Sequence, residues 1–102
     1  MNHLNSILVE GFIAENPEYS ESEKQCTFNI KSLRYERNDG GIVKKIKIFS
    51  VVVTGKIGEE CSTKKKGEGL RIIGRLETTE NNAVIIEAES IQDRPVLSGK
   101  GA

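Results

Sequence analysis

Residues 42–55, Ile42-Val43-Lys44-Lys45-Ile46-Lys47-Ile48-Phe49-Ser50-Val51-Val52-Val53-Thr54-Gly55, form the longest run of strand-favouring side chains in the chain. β-Branched and aromatic residues fit a pleated, half-buried surface, so the stretch predicts one long strand. Its alternation changes phase part-way. Ile46 and Ile48 share one face with Lys45 and Lys47 on the other, whereas Phe49, Val51 and Val53 follow the opposite phase. That slip predicts a bulge or sharp coil near Ile48 to Ser50, a device by which one strand turns a barrel corner. Lys44, Lys45 and Lys47 give the same strand a positive face beside its core face.

The run just before it, Cys26 to Arg37, alternates cleanly. Cys26, Phe28 and Ile30 fall on one face, and Thr27, Asn29 and Lys31 on the other, followed on that second face by Leu33, Tyr35 and Arg37. Between the two runs stands Asn38-Asp39-Gly40-Gly41, whose Asp-Gly and Gly-Gly pairs accept positive φ at little cost. The two strands are therefore an antiparallel pair. Upstream, Leu4 to Ile13 predicts a first strand interrupted by Gly11, ended by Asn16-Pro17-Glu18 and followed by a polar loop or hairpin arm to Gln25. Downstream, a helix of about two turns is expected around Ile57 to Lys65. There Glu59 and Glu60 would stand in the first turn and Lys64, Lys65 and Lys66 at the end, as the helix dipole favours. Leu70 to Thr78 and Ala83 to Ile91 complete a set of five strands, joined by a tight turn at Glu80-Asn81-Asn82. Residues from Gln92 onward have little to pack and should fray. The pattern implies an all-β, five-stranded OB-fold Greek-key barrel with one short helix between the third and fourth strands. A five-stranded meander sheet with one helix is the alternative from pattern alone.

Composition narrows the function. At 102 residues the chain is one domain, expected over residues 1–93 with a flexible tail over 94–102. Its formal net charge is zero, yet from Lys31 to Leu76 there are twelve bases against five acids, and the flanks hold three bases against ten acids. Such segregation points to one basic face on an otherwise neutral protein. Cys26 and Cys61 stand thirty-five positions apart without a second pair or a nearby histidine, which suits free thiols of a reducing compartment. No apolar run of membrane-spanning length occurs, so a cytoplasmic, nucleoid-associated location without membrane partners is expected. Nothing supports an enzyme. No histidine accompanies Cys61 or any serine, Glu59 and Glu60 belong on an exposed helix, and no metal or cofactor is implied. Lys56 follows Gly55, but the spacing of a phosphate-binding loop is absent.

Four segments in order resemble the bacterial single-stranded DNA-binding protein family: Asn5 to Ile13 with Asn16-Pro17-Glu18; Cys26 to Ile30; Val51-Val52-Val53-Thr54-Gly55-Lys56-Ile57-Gly58-Glu59; and Lys66-Gly67 with Leu70 to Thr78. The resemblance implies an OB-fold subunit of a homo-oligomer, a tetramer being favoured and a dimer allowed. Such a subunit wraps single-stranded DNA without sequence preference in replication, recombination or repair. A cationic groove would follow phosphates and aromatic rings would stack on bases. The candidate nucleic-acid contacts are Lys31, Arg34, Tyr35, Arg37, Lys44, Lys45, Lys47, Lys56, Arg71 and Arg75; Phe28 and Phe49 are assigned to the core. Three departures qualify the likeness. Tryptophan is absent and Thr54 stands where the family often has an aromatic; the hairpin at Asn81-Asn82 is short; and no acidic, Phe-ended tip follows Gly99-Lys100-Gly101-Ala102. Binding is accordingly expected to lean on charge. Two other functions fit the same fold: an accessory factor similar to primosomal replication protein N, acting through replication proteins as well as DNA, and a structural OB module that binds no nucleic acid.

Overall fold

The computed structural model describes residues 5–93. Six strands and one helix follow in the order β1 (Ile7–Ile13), β2 (Glu18–Ser20), β3 (Gln25–Asn38), β4 (Gly41–Thr54), α1 (Gly55–Cys61), β5 (Gly69–Thr78) and β6 (Val84–Asp93). Five of the strands are those the alternation predicts. The sixth, β2, is a three-residue arm in the polar tract, paired to β3 through Tyr19 and Cys26. In sheet order the strands run β1-β5-β6-β4-β3-β2, and a further pairing of β1 with β3 at Phe12 and Ile13 closes the sheet into a barrel. A short parallel contact, Val51 to Ile86 and Val52 to Glu87, joins β4 to β6.

The core follows directly from strand period. Cys26, Phe28 and Ile30 from β3 meet Val51 and Val53 from β4, with Ile13, Leu70, Ile72, Ile86, Ala88 and the helical Cys61 filling the remainder. Every one of these is buried, at roughly 25 cal/mol per Å² of apolar surface removed from water. Glycine is required where backbones nearly touch. A side chain at Gly11 would strike the Lys31 carbonyl at the β1–β3 closure, and one at Gly74 would strike the Glu87 carbonyl. Beside Gly74 the β5–β6 register shifts, the one bulge between paired strands of the described residues.

Four expectations are corrected. No bulge interrupts β4 near Ile48 to Ser50: β3 and β4 pair residue for residue from Gln25 with Thr54 to Asn38 with Gly41. The phase change arises because one straight strand turns its apolar residues inward at Val51 and Val53 and outward at Ile46 and Ile48. The lysines consequently do not share a face, since Lys44 lies with Ile46 and Ile48 while Lys45 and Lys47 lie opposite. Secondly, α1 is shorter than expected and begins at Gly55, so it has no acid in its first turn and no base in its last. Gly55, at φ 70, turns the chain straight from β4 into the helix. At its other end the Ser62 and Thr63 hydroxyls donate to the Glu59 and Glu60 carbonyls and stop it. Thirdly, Lys64 is not a solvated helix end but an ion-pair partner of Asp93 in β6, which holds its ammonium pKa above the ordinary value. Finally, Gln92 and Asp93 belong to β6 rather than to a frayed tail; the rest of the expected tail, residues 94–102, lies outside the described residues, as does Leu4 of the expected first strand.

Candidate nucleic-acid interface

Beyond Ser32, where its hydroxyl donates to the Glu10 carbonyl at 3.0 Å, β3 leaves the barrel. From there to the turn, β3 and β4 pair only with each other and project as a two-stranded ribbon. At about 3.3 Å per residue, the stretch from Lys31 to Arg37 is about 20 Å long. The turn itself is held by the Gly40 amide, which donates to Asn38 Oδ1 at 2.9 Å.

The two faces of this ribbon differ in chemistry. The outward face continues the solvent side of the barrel and carries Lys31, Leu33, Tyr35 and Arg37 from β3 opposite Ile48, Ile46, Lys44 and Ile42 from β4. No acid is among these eight. The reverse face carries Ser32, Arg34 and Glu36 opposite Lys47, Lys45 and Val43. Here Glu36 accepts ion pairs from Arg34 and Lys45, both at 3.4 Å, so part of the positive charge is compensated.

The ten candidate contacts therefore separate. Lys31, Tyr35, Arg37 and Lys44 come together on the outward face. Arg34, Lys45 and Lys47 lie on the reverse. Lys56 is exposed on α1. Arg71 and Arg75 stand on the wall formed by β1, β5 and β6, each against acids. Arg71 Nε donates to Glu10 at 2.6 Å, and Arg75 bridges Glu77 at 3.1 Å and Glu87 at 2.9 Å. The Glu87 and Glu77 carboxylates push the Arg75 guanidinium further towards its charged form. Phe28 is buried as assigned, but Phe49, at the lip of the core, is 39% exposed.

Sequence reasoning found Tyr35 but missed the aliphatic members of the outward face. Ile42, Ile48 and Tyr35 are 68%, 61% and 65% exposed, with Ile46 and Leu33 also open to solvent. The signal was the phase change itself, which marks where apolar side chains turn away from the core. Nearer the barrel the same outward face is polar. A groove of about 240 Å³ lies there, lined among others by Glu15, Glu18, Thr27, Asn29 and Ser50. Its carboxylates make that end unfavourable to phosphate, and the uncompensated cations begin at Lys31.

Neither the family models nor the curated proteins contain a match to this chain. Solved structures do. A small single-stranded DNA-binding protein from Streptomyces coelicolor aligns over 92% of this chain and 96% of its own, at 17% identity and a TM-score of 0.74. The Plasmodium falciparum single-stranded DNA-binding protein, solved in complex with single-stranded DNA, aligns over 93% and 98%, at 17% identity and a TM-score of 0.78. The chain has an OB-fold. A deletion mutant of the Thermus aquaticus single-stranded DNA-binding protein agrees, with 19% identity and a TM-score of 0.76 over 93% of this chain, which spans 52% of that larger one. In the OB-fold, the face of the second and third barrel strands, here β3 and β4, is the usual ligand surface.

Proposed function

We propose that this chain binds single-stranded DNA, by contact and not by catalysis, through the outward face of the β3–β4 ribbon. The observation that carries the proposal is the row Lys31, Arg37 and Lys44, three cations, the first half-buried and the other two exposed, without an acid among the eight residues of their face, on the OB strands that commonly hold oligonucleotides. The structural neighbours that are single-stranded DNA-binding proteins support it. Arg34, Lys45, Lys47 and Lys56 add to the field that steers a polyanion inward. Arg71 and Arg75, already committed to carboxylates, contribute less. A setting in replication, recombination or repair, where single strands are exposed, follows from the ligand. Among the described residues no helix is long and apolar enough to cross a membrane.

Homo-oligomer formation belongs to the same proposal. It is supported by Leu8 opposite Ile73 on the outer wall of β1 and β5, both exposed. Light scattering should give a mass above that of one chain.

Fluorescence anisotropy with labelled oligo(dT) at low salt tests the binding. Micromolar affinity or better is expected, with log K falling against log salt at a slope near −2, about 0.7 for each of three phosphates neutralised. Absence of binding at micromolar protein would overturn the proposal, and a flat salt response would remove the phosphate contacts from it.

A further inference from the structure

Among the described residues, nothing packs over the five apolar residues of the outward ribbon face. Their arrangement is ordered: Leu33 opposite Ile46 at the centre, Lys31 opposite Ile48 on the barrel side, Tyr35 opposite Lys44 and then Arg37 opposite Ile42 towards the tip. Cross-strand neighbours of this kind stand about 5 Å apart, so Leu33, Ile46 and Ile48 form one continuous strip that Tyr35 extends, with Ile42 set apart beyond Lys44. Each cation lies beside it, never within a cluster of its own.

What would cover such a strip is decided by its charge. A second copy packing face to face would bring three cations against three cations and no acid, which disfavours it. A single nucleic-acid strand has the complementary chemistry, flat apolar base faces on one side and phosphates on the other. We infer that Leu33, Ile46 and Ile48 form an aliphatic bed on which unpaired bases lie, with Tyr35 as its one stacking ring, while Lys31, Arg37 and Lys44 hold the flanking phosphates. This rests on the single-stranded DNA reading given above and names which side chains take the bases. Bases laid on the bed exclude water from it, a contribution proportional to apolar area and indifferent to salt.

Two substrates and two proteins test this. The native chain and the variant Leu33→Thr/Ile46→Thr/Ile48→Thr, whose replacements keep strand preference on exposed positions, are each titrated with oligo(dT) and with an abasic deoxyribose-phosphate strand of equal length. The native chain is expected to lose about tenfold in affinity on the abasic strand, and the variant about tenfold on oligo(dT). The variant should scarcely distinguish the two strands, and its salt slope should match that of the native chain. Equal binding of oligo(dT) by variant and native chain overturns the base-contact role while leaving DNA binding intact. So does an undiminished preference of the variant for oligo(dT) over the abasic strand. A fall in the variant's mass by light scattering assigns the strip to a second copy and likewise overturns it. Failure of the native chain to bind oligo(dT) removes the underlying reading as well.

Discussion

Among single residues, Lys44 and Arg75 show how the same charge differs in worth. Lys44 faces Tyr35 with no acid beside it, and Arg75 is shared between Glu77 and Glu87. Lys44→Gln should reduce the magnitude of the salt slope by about 0.7, whereas Arg75→Gln should change it far less. Salt-dependent anisotropy titrations of both variants check the pair. Cys61 makes a different prediction. Burial, reinforced by the neighbouring Cys26 thiol, pushes its pKa from 9.0 to about 12. The folded state thus holds this proton more tightly than the unfolded state. Its contribution to stability is complete below pH 9.0 and is lost as pH rises towards about 12. Thermal melts across that window should show a smaller alkaline decline for Cys61→Ala than for the native chain. Both thiols should also resist iodoacetamide at about pH 8 until denaturant exposes them.

The elements divide into those that make the barrel and those that leave it. No core residue lies between Ser32 and Phe49. Replacing residues 34–45 by Asn-Gly, which joins the paired positions Leu33 and Ile46 through a hairpin turn, should leave a folded barrel by circular dichroism. The same deletion removes Tyr35, Arg37 and Lys44 but keeps Lys31 and the aliphatic bed, so it should weaken oligo(dT) binding and cut the salt slope to that of about one phosphate. At the other end of β4, α1 sits so closely on the sheet that a side chain on Gly58 would approach the Val53 carbonyl to 2.6 Å. Overpacking of this kind costs about 1–3 kcal/mol, so Gly58→Ala should lower the denaturation midpoint in urea without altering DNA affinity.

For the molecule as a whole, strand positions were legible because alternation reports them directly. The long strands fall within one to three residues of expectation wherever the chain is described. What alternation does not report is what each face meets. Ile46 and Ile48 looked like core on a bulged strand; they are surface on a straight one. The helix dipole argument failed for a local reason, the turn at Gly55, which starts α1 early enough to strand both Glu59 and Lys64. Of the candidate contacts, residue type alone could not separate Lys44 from Lys45, or either from Arg75, because pairing across strands decides which charges are already answered.

The unbroken β3–β4 register also bears on how the chain folds. Its pairs closest to the turn, Asn38 with Gly41 and Arg37 with Ile42, are near in sequence, whereas β1 must find β5 across about sixty residues, from Phe12 with Gly69 to Ile7 with Gly74. Short loops close before long ones, so the ladder zips from Asp39-Gly40 towards the barrel and presents one side of the core for the later strands to join. Gly41, at φ 117, is where this can be timed. Gly41→Ala should slow refolding in stopped-flow measurements more than it speeds unfolding, giving a φ-value closer to one than to zero. The ribbon proposed to hold DNA would then be the part of the chain that assembles first.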